Sequence, residues 1–252
     1  MMKNLVFVHG FLGGSGQWTP QTAAFSPHFN VITVDLPGFG LNSGLEAPQR
    51  IDAYADFVLA ELSRLGIERF HLLGHSMGGM IVQEMAARAQ ERIEYLVLYG
   101  TGPEGVMPGR FESIEESRRR ASEEGAEATG RRIAATWFLK GEMAEQYPVC
   151  AGLAVKASLQ AVLAGLSAME NWSGLSALPG ITVPTLVLWG DCDRAYPWAQ
   201  PEKLWRGISG ARLAVIPGCS HAVHLEKPHL FNAILGDFLC TERCSGDVTR
   251  RI

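Results

Sequence analysis

No apolar run in this 252-residue chain approaches the length of a bilayer-spanning helix, so integration into a membrane is not expected. Charge is sparse as well. Asp, Glu, Lys and Arg make up 19% of the residues, the formal net charge is -4, and no basic stretch is interleaved with aromatics, so the electrostatic footprint of a nucleic-acid binder is missing. Cysteine is scarce: Cys150, Cys192, Cys219, Cys240 and Cys244 are odd in number, scattered, and without Cys-x-x-Cys spacing or a His-rich partner cluster. They form neither a disulfide framework nor a zinc site, and they read as the reduced thiols of a cytoplasmic protein. The segment before Leu5-Val6-Phe7-Val8 is too short for the charged and apolar regions of a secretory leader, and His9-Gly10 stands where a cleavage site would be small and neutral. No Gly-Lys-Ser/Thr phosphate loop occurs, and neither a cofactor nor a metal is called for.

What is present is apolar and periodic. With 47% hydrophobic residues the chain can bury one large core. Short apolar runs at Asn4–Val8, Asn30–Asp35, Arg69–Leu73, Ile93–Tyr99, Thr185–Trp189 and Arg212–Ile216 alternate with helical stretches. Continuous apolar strands of this kind imply a mostly parallel, doubly wound α/β sheet covered on both faces. Each run leads into a polar or glycine-rich turn, and in such sheets the reactive groups gather at the carboxyl ends of the strands. Between Pro103 and Pro184 the strand signal stops and the text turns helical and charged, which predicts a helical cap at 104–183 on a core made of 1–103 and 184–240. Ala151–Met169 reads there as one long apolar helix, and 241–252, low in apolar residues, reads as a disordered tail.

The turn Gly74-His75-Ser76-Met77-Gly78 lies between an apolar strand and a helical pattern, the setting of a nucleophile elbow. A serine hydroxyl is a weak nucleophile unless it is held exposed beside a base, and a sharp strand-to-helix turn flanked by small residues does this. The same turn aims the Met77 N–H, at a helix N-terminus, toward a developing oxyanion. A base and an acid should follow in the order Ser, acid, His. Asp193 falls in the turn after Thr185–Trp189 and His221 in the turn after Arg212–Ile216. An imidazole is mostly neutral at pH 7 and can accept the Ser76 proton, while a buried carboxylate on its other nitrogen holds the tautomer. Asp191 and His224 are the rivals. Asp191 directly follows Gly190 and suits a structural turn, and His224 sits closer to the last helix, so Asp193 and His221 are favoured.

Taken together, His9-Gly10-Phe11, Asp35-Leu36-Pro37-Gly38-Phe39-Gly40, Gly74 through Gly79, Gly190 through Asp193, and Gly218 through His221 with Glu226 and Pro228 resemble the α/β-hydrolase superfamily over about residues 3–239. The resemblance implies Ser76, Asp193 and His221 as the catalytic residues and the Phe11 and Met77 amides as the oxyanion hole. It is loosely similar to methyl esterases acting on pimeloyl carriers and to enol-lactonases. The chain departs from the family by starting directly at the His-Gly strand, without the usual N-terminal hairpin. That omission leaves Asn30–Asp35 at a sheet edge, which the cap, the tail or a second copy of the chain in a homodimer is expected to cover.

Trp18, Leu12, Trp137 and Trp172 lie in turns or cap segments and are the candidate substrate-binding residues. Arg118–Arg120 and Arg131–Arg132 alternate with glutamates, the pattern of a solvated helix face, with an acidic substrate as the sharper alternative. The expected activity is cofactor-free serine hydrolysis of a small to medium carboxylic ester, lactone or thioester. Lyase or carbon–carbon bond hydrolase chemistry on the same triad, or a non-enzymatic small-molecule receptor, are the alternatives.

Overall fold

The computed structural model describes residues 2–240, so the expected tail at 241–252 lies outside the described residues. Six strands form one parallel sheet: β1 Lys3–Val8, β2 Phe29–Val34, β3 Phe70–His75, β4 Ile93–Tyr99, β5 Thr185–Gly190 and β6 Arg212–Ile216, in the order β2-β1-β3-β4-β5-β6. Every expected strand is present. The central strands β3 and β5 are buried along their whole length, which is why they read as unbroken apolar runs rather than alternating ones. Among the described residues β2 is a sheet edge, as expected for Asn30–Asp35.

The helices are α1 Thr19–Phe25, α2 Ile51–Arg64, α3 Met77–Ala89, α4 Ile114–Glu124, α5 Ala126–Ala135, α6 Tyr147–Ala154, α7 Leu159–Glu170, α8 Ala199–Gly207, α9 Val223–Glu226 and α10 Pro228–Cys240. Two apolar clusters divide the interior. One joins the α2/α3 side of the sheet to α7 through Met80, Phe39, Val162 and Leu166, and the other packs α1 and α10 against the opposite side through Phe7, Tyr99 and Phe231. Among the described residues no single helix is long and apolar enough to cross a membrane.

Helices α4–α7 occupy the stretch where the strand signal stops. The expected single helix over Ala151–Met169 is instead two, α6 and α7, meeting at a 101° bend. The cause is local: Ser158 takes an extended conformation and its side chain accepts the Ala161 N–H at 3.1 Å, an N-cap that starts a new helix. Ser113 caps α4 in the same way, accepting from the Glu116 N–H at 3.0 Å. The glutamate–arginine alternation is resolved into ion pairs: Arg118 with Glu170, Arg119 with Glu116 and Glu123, Arg120 with Glu124, Arg131 with Glu127, and Arg132 with Glu112.

Candidate active site

Ser76 sits between β3 and α3 with φ 58° and ψ −123°, a left-handed strain that non-glycine residues adopt rarely. The turn is held from both sides. The Ser76 N–H donates to Tyr99 O at 3.0 Å, and Ser76 O accepts from Gly79 N and from Thr101 Oγ1, each at 2.8 Å. The flanking glycines are required by contact as much as by conformation. A Cβ on Gly74 would overlap the Gly78 carbonyl, and one on Gly78 would overlap the carbonyl oxygens of Val8 and His9. Gly78→Ala is therefore expected to force α3 away from β1, at an overpacking cost on the order of 1–3 kcal/mol. A thermal melt matching wild type, with undiminished labelling of Ser76 by an active-site phosphonate, would contradict this.

The turns after β5 and β6 bring Asp193 and His221 together. Asp193 Oδ2 lies 2.8 Å from His221 Nδ1, and both side chains are essentially sealed from solvent. The other carboxylate oxygen accepts the Ala195 and Tyr196 N–H groups at 2.7 and 3.0 Å, so both oxygens of the acid are engaged. Asp191 does something else: its Oδ1 accepts the Gly218 N–H at 2.7 Å and clamps the β5 turn to the β6 turn. With Nδ1 of His221 committed to Asp193, Nε2 is the ring nitrogen left over.

The second rival, His224, belongs to a buried network beneath His221. Tyr99 Oη donates to His221 O at 2.9 Å, and His75 Nε2 donates to the same carbonyl at 3.1 Å. Because the Tyr99 proton is used, its oxygen accepts from His224 N and His224 Nδ1 at 3.2 and 3.0 Å. The Gln17 amide then donates to the two remaining imidazole nitrogens, His75 Nδ1 at 3.4 Å and His224 Nε2 at 3.5 Å. Every tautomer in this chain follows from the one before it. Tyr99 thus holds both ends of the site, the Ser76 amide with its carbonyl and the His221 backbone with its hydroxyl. Burial, followed by repulsion from neighbouring imidazoles, pushes His75 well below 6.5 and His224 to about 3, so both stay neutral.

The loop after β1 is organised by another neutral histidine. Leu36 N donates to His9 Nε2 at 3.0 Å while His9 Nδ1 donates to Gly10 O at 2.7 Å, and burial lowers this group to about 4. A turn closed by Gly13 N to Gly10 O at 3.1 Å carries Phe11 and Leu12, the latter in a left-handed conformation at φ 62°. Gly10 packs so closely on the elbow that a Cβ there would stand 2.7 Å from Ser76 Cβ. Among the described residues neither the Phe11 nor the Met77 N–H has a hydrogen-bond partner, the condition an oxyanion hole requires.

The expected substrate residues divide. Trp137 is close to the site, its ring 6.4 Å from His221 and its carbonyl accepting the Ala222 N–H at 2.9 Å. The Phe11 ring packs on Phe39 and against Gly165 of α7, and Leu12 is fully buried beside it. Trp18 is a correction. It follows the loop after β1 in sequence, but the short turn at Ser15–Trp18 carries it to the opposite face of β1, where it stacks on Phe7 at 5.0 Å and meets His224 at 4.5 Å. Trp172 is a second correction: its indole N–H donates to Glu84 Oε1 at 2.8 Å, and Glu84 is two turns along α3 from Ser76. Three residues were missed. Tyr99 carried a readable signal, a polar aromatic closing an aliphatic strand, whereas Gln17 and Tyr196 carried none.

A profile of the alpha/beta hydrolase fold family matches residues 3–228. The chain belongs to this family. It is 30% identical over 243 residues to a protein of Agrobacterium fabrum provisionally assigned as the carbamate hydrolase RutD, spanning 91% of this chain and 90% of that one. It is 29% identical over 248 residues to the 2-hydroxy-6-oxo-6-phenylhexa-2,4-dienoate hydrolase of Comamonas testosteroni, covering 93% and 87%. Among solved structures, the enol-lactonase of Burkholderia xenovorans LB400 superposes with a TM-score of 0.87 at 28% identity, over 96% of this chain and 92% of that one. Fold and relatives together indicate a hydrolase enzyme.

Proposed function

We propose that this hydrolase cleaves a small to medium carboxylic ester or lactone through an acyl-enzyme on Ser76. The observation that carries the reading is the sealed Asp193–His221 pair, 2.8 Å apart, delivered to the same sheet edge as a serine held at φ 58° and two amides with no hydrogen-bond partner among the described residues. In this mechanism His221 Nε2 takes the Ser76 proton as Oγ attacks the carbonyl, and the Phe11 and Met77 N–H groups receive the charge on the tetrahedral oxygen. Asp193 keeps His221 in the required tautomer and stabilises the imidazolium. His221 then returns the proton to the departing alkoxide, and water, deprotonated in turn by His221, releases the acid.

The enol-lactonase supports ester-like chemistry, since a lactone opened by the same steps needs no further catalytic group. The dienoate hydrolase supports a second reading, carbon–carbon bond hydrolysis on the same residues. Ethyl esters of increasing acyl length, γ- and δ-lactones, phenyl carbamates and a vinylogous diketone, compared by kcat/KM, test the choice. Esters or lactones are expected to lead the series by at least about tenfold. A lead by the diketone or the carbamates would overturn the substrate class, and no turnover of any of them would overturn the hydrolytic reading itself.

A further inference from the structure

Tyr196 is packed onto the site but not used by the steps above. Its ring lies nearly parallel to His221, with centroids 5.6 Å apart at 11°, and the residue is only 2% exposed. Its hydroxyl stands beside the Ser76 and Thr101 hydroxyls, which interact with it electrostatically, and among the described residues it has no partner in good hydrogen-bond geometry. Leaving a buried hydroxyl unpaired is unfavourable, and a bound ligand is one thing that completes such a group.

The cation whose charge acts on this phenol is Arg110. The backbone places it there: Phe111 N donates to Arg194 O at 2.9 Å, tying the Arg110 segment to the loop that carries Asp193 and Tyr196. The guanidinium lies over the Phe111 ring at 4.3 Å, and Nη1 donates to Glu112 O at 2.7 Å and Ser117 Oγ at 3.2 Å. It makes no ion pair among the described residues. The adjacent Glu112 is already taken, with both oxygens 2.8 Å from Arg132 Nη1, and Arg132 and Arg120 also share Glu124. Three arginines therefore face two glutamates, and the surplus charge is the one beside Tyr196. The alternative of an acidic substrate survives, but at Arg110 rather than at the five arginines of the cap helices.

We infer that the Tyr196 hydroxyl and the Arg110 guanidinium form an anion subsite beside Ser76 that takes a carboxylate carried on the acyl side of the substrate. The substrate class is then the monoester or lactone of a short dicarboxylic acid. Tyr196 donates its proton to one carboxylate oxygen, and the free Nε and Nη2 edge of Arg110 supplies the charge. This deepens the hydrolase reading and rests on it for the turnover arm of the test only.

The first arm compares monoethyl glutarate with ethyl pentanoate, and monoethyl succinate with ethyl butanoate, in wild type, Tyr196→Phe, Arg110→Gln, Arg110→Lys and the exposed control Arg131→Gln. The second arm measures glutarate binding to Ser76→Ala protein by calorimetry, alone and combined with Tyr196→Phe or Arg110→Gln. The charged-to-neutral ratio of kcat/KM is expected to fall at least about tenfold in Tyr196→Phe and Arg110→Gln, less in Arg110→Lys, and not in Arg131→Gln. Glutarate affinity should fall in parallel. An unchanged ratio in both variants, or glutarate binding no tighter than pentanoate, overturns the subsite. Absence of all ester turnover with glutarate binding that depends on Arg110 would instead sink the hydrolase reading and leave the subsite standing.

Discussion

Ser76→Ala is expected to lower kcat on an accepted ester by at least about 10⁴-fold while leaving the fold intact. The magnitude follows from what the hydroxyl does: without it there is no acyl-enzyme, and attack must come from water that His221 is not placed to align. The fold should survive because the elbow is held by backbone groups, Ser76 N on Tyr99 O and Ser76 O under Gly79 N and Thr101 Oγ1, none of which needs the Ser76 side chain. His221→Ala should cost about as much, and the double variant little more than either, because residues acting as one unit are not additive. Asp193→Asn is expected to cost about 10⁴-fold by favouring the wrong tautomer. Steady-state kinetics and mass-spectrometric mapping of a fluorophosphonate adduct measure these effects. An alanine variant at Ser76 that keeps activity within tenfold of wild type, or an adduct on another residue, would dismiss the nucleophile.

Acidification from pH 7 to pH 4.5 is expected to remove most of the folding stability. Four buried histidines are held neutral: burial lowers His9 and His71 to about 4 and His224 to about 3, and drives His75 well below its ordinary value. For His71, burial outweighs the opposing pull of Glu94. The folded values are depressed, so between about 6.5 and 4 the unfolded chain binds protons that the folded chain does not. The contribution of each group is complete above 6.5 and is lost as pH falls toward its folded value. The slope is about 1.4 kcal/mol per pH unit for each histidine, set against a typical margin of about 5–15 kcal/mol. Urea midpoints at pH 7, 6, 5 and 4.5 read this directly, and equal midpoints at pH 7 and pH 5 would refute it. His71 offers a separate check, because neither of its ring nitrogens has a hydrogen-bond partner among the described residues. His71→Leu should be neutral or stabilising at pH 7 and should flatten the pH slope by about one proton.

The same buried histidines mark the limit of what could be read from the chain. His9, His75 and His224 are close in sequence to groups of the candidate site, and a histidine near an elbow serine invites a chemical role. What separates them from His221 is the hydrogen-bond ledger of the folded interior: each has both nitrogens directed at Gly10 O and Leu36 N, at His221 O and Gln17, or at Tyr99 and Gln17. Gln17 is remote in sequence from His75 and His224, so no local pattern could announce it. Trp18 and Trp172 were misplaced for a related reason, since nearness along the chain to a reactive loop does not say which face of the sheet a ring will pack on.

The sequence by itself determined the parallel sheet, the elbow and the order of serine, acid and histidine. These depend on short-range rules: apolar runs bounded by turns, small residues around a strained serine, and polar groups at the carboxyl ends of successive strands. The tertiary structure alone decided that Asp193 rather than Asp191 meets His221, that Ser158 splits the apolar helix of residues 151–169, and that among the described residues the Tyr196 hydroxyl has no hydrogen-bond partner and Arg110 no ion pair. Each of these turns on which buried donor finds which acceptor across residues far apart in the chain, and that pairing exists only once the core has closed.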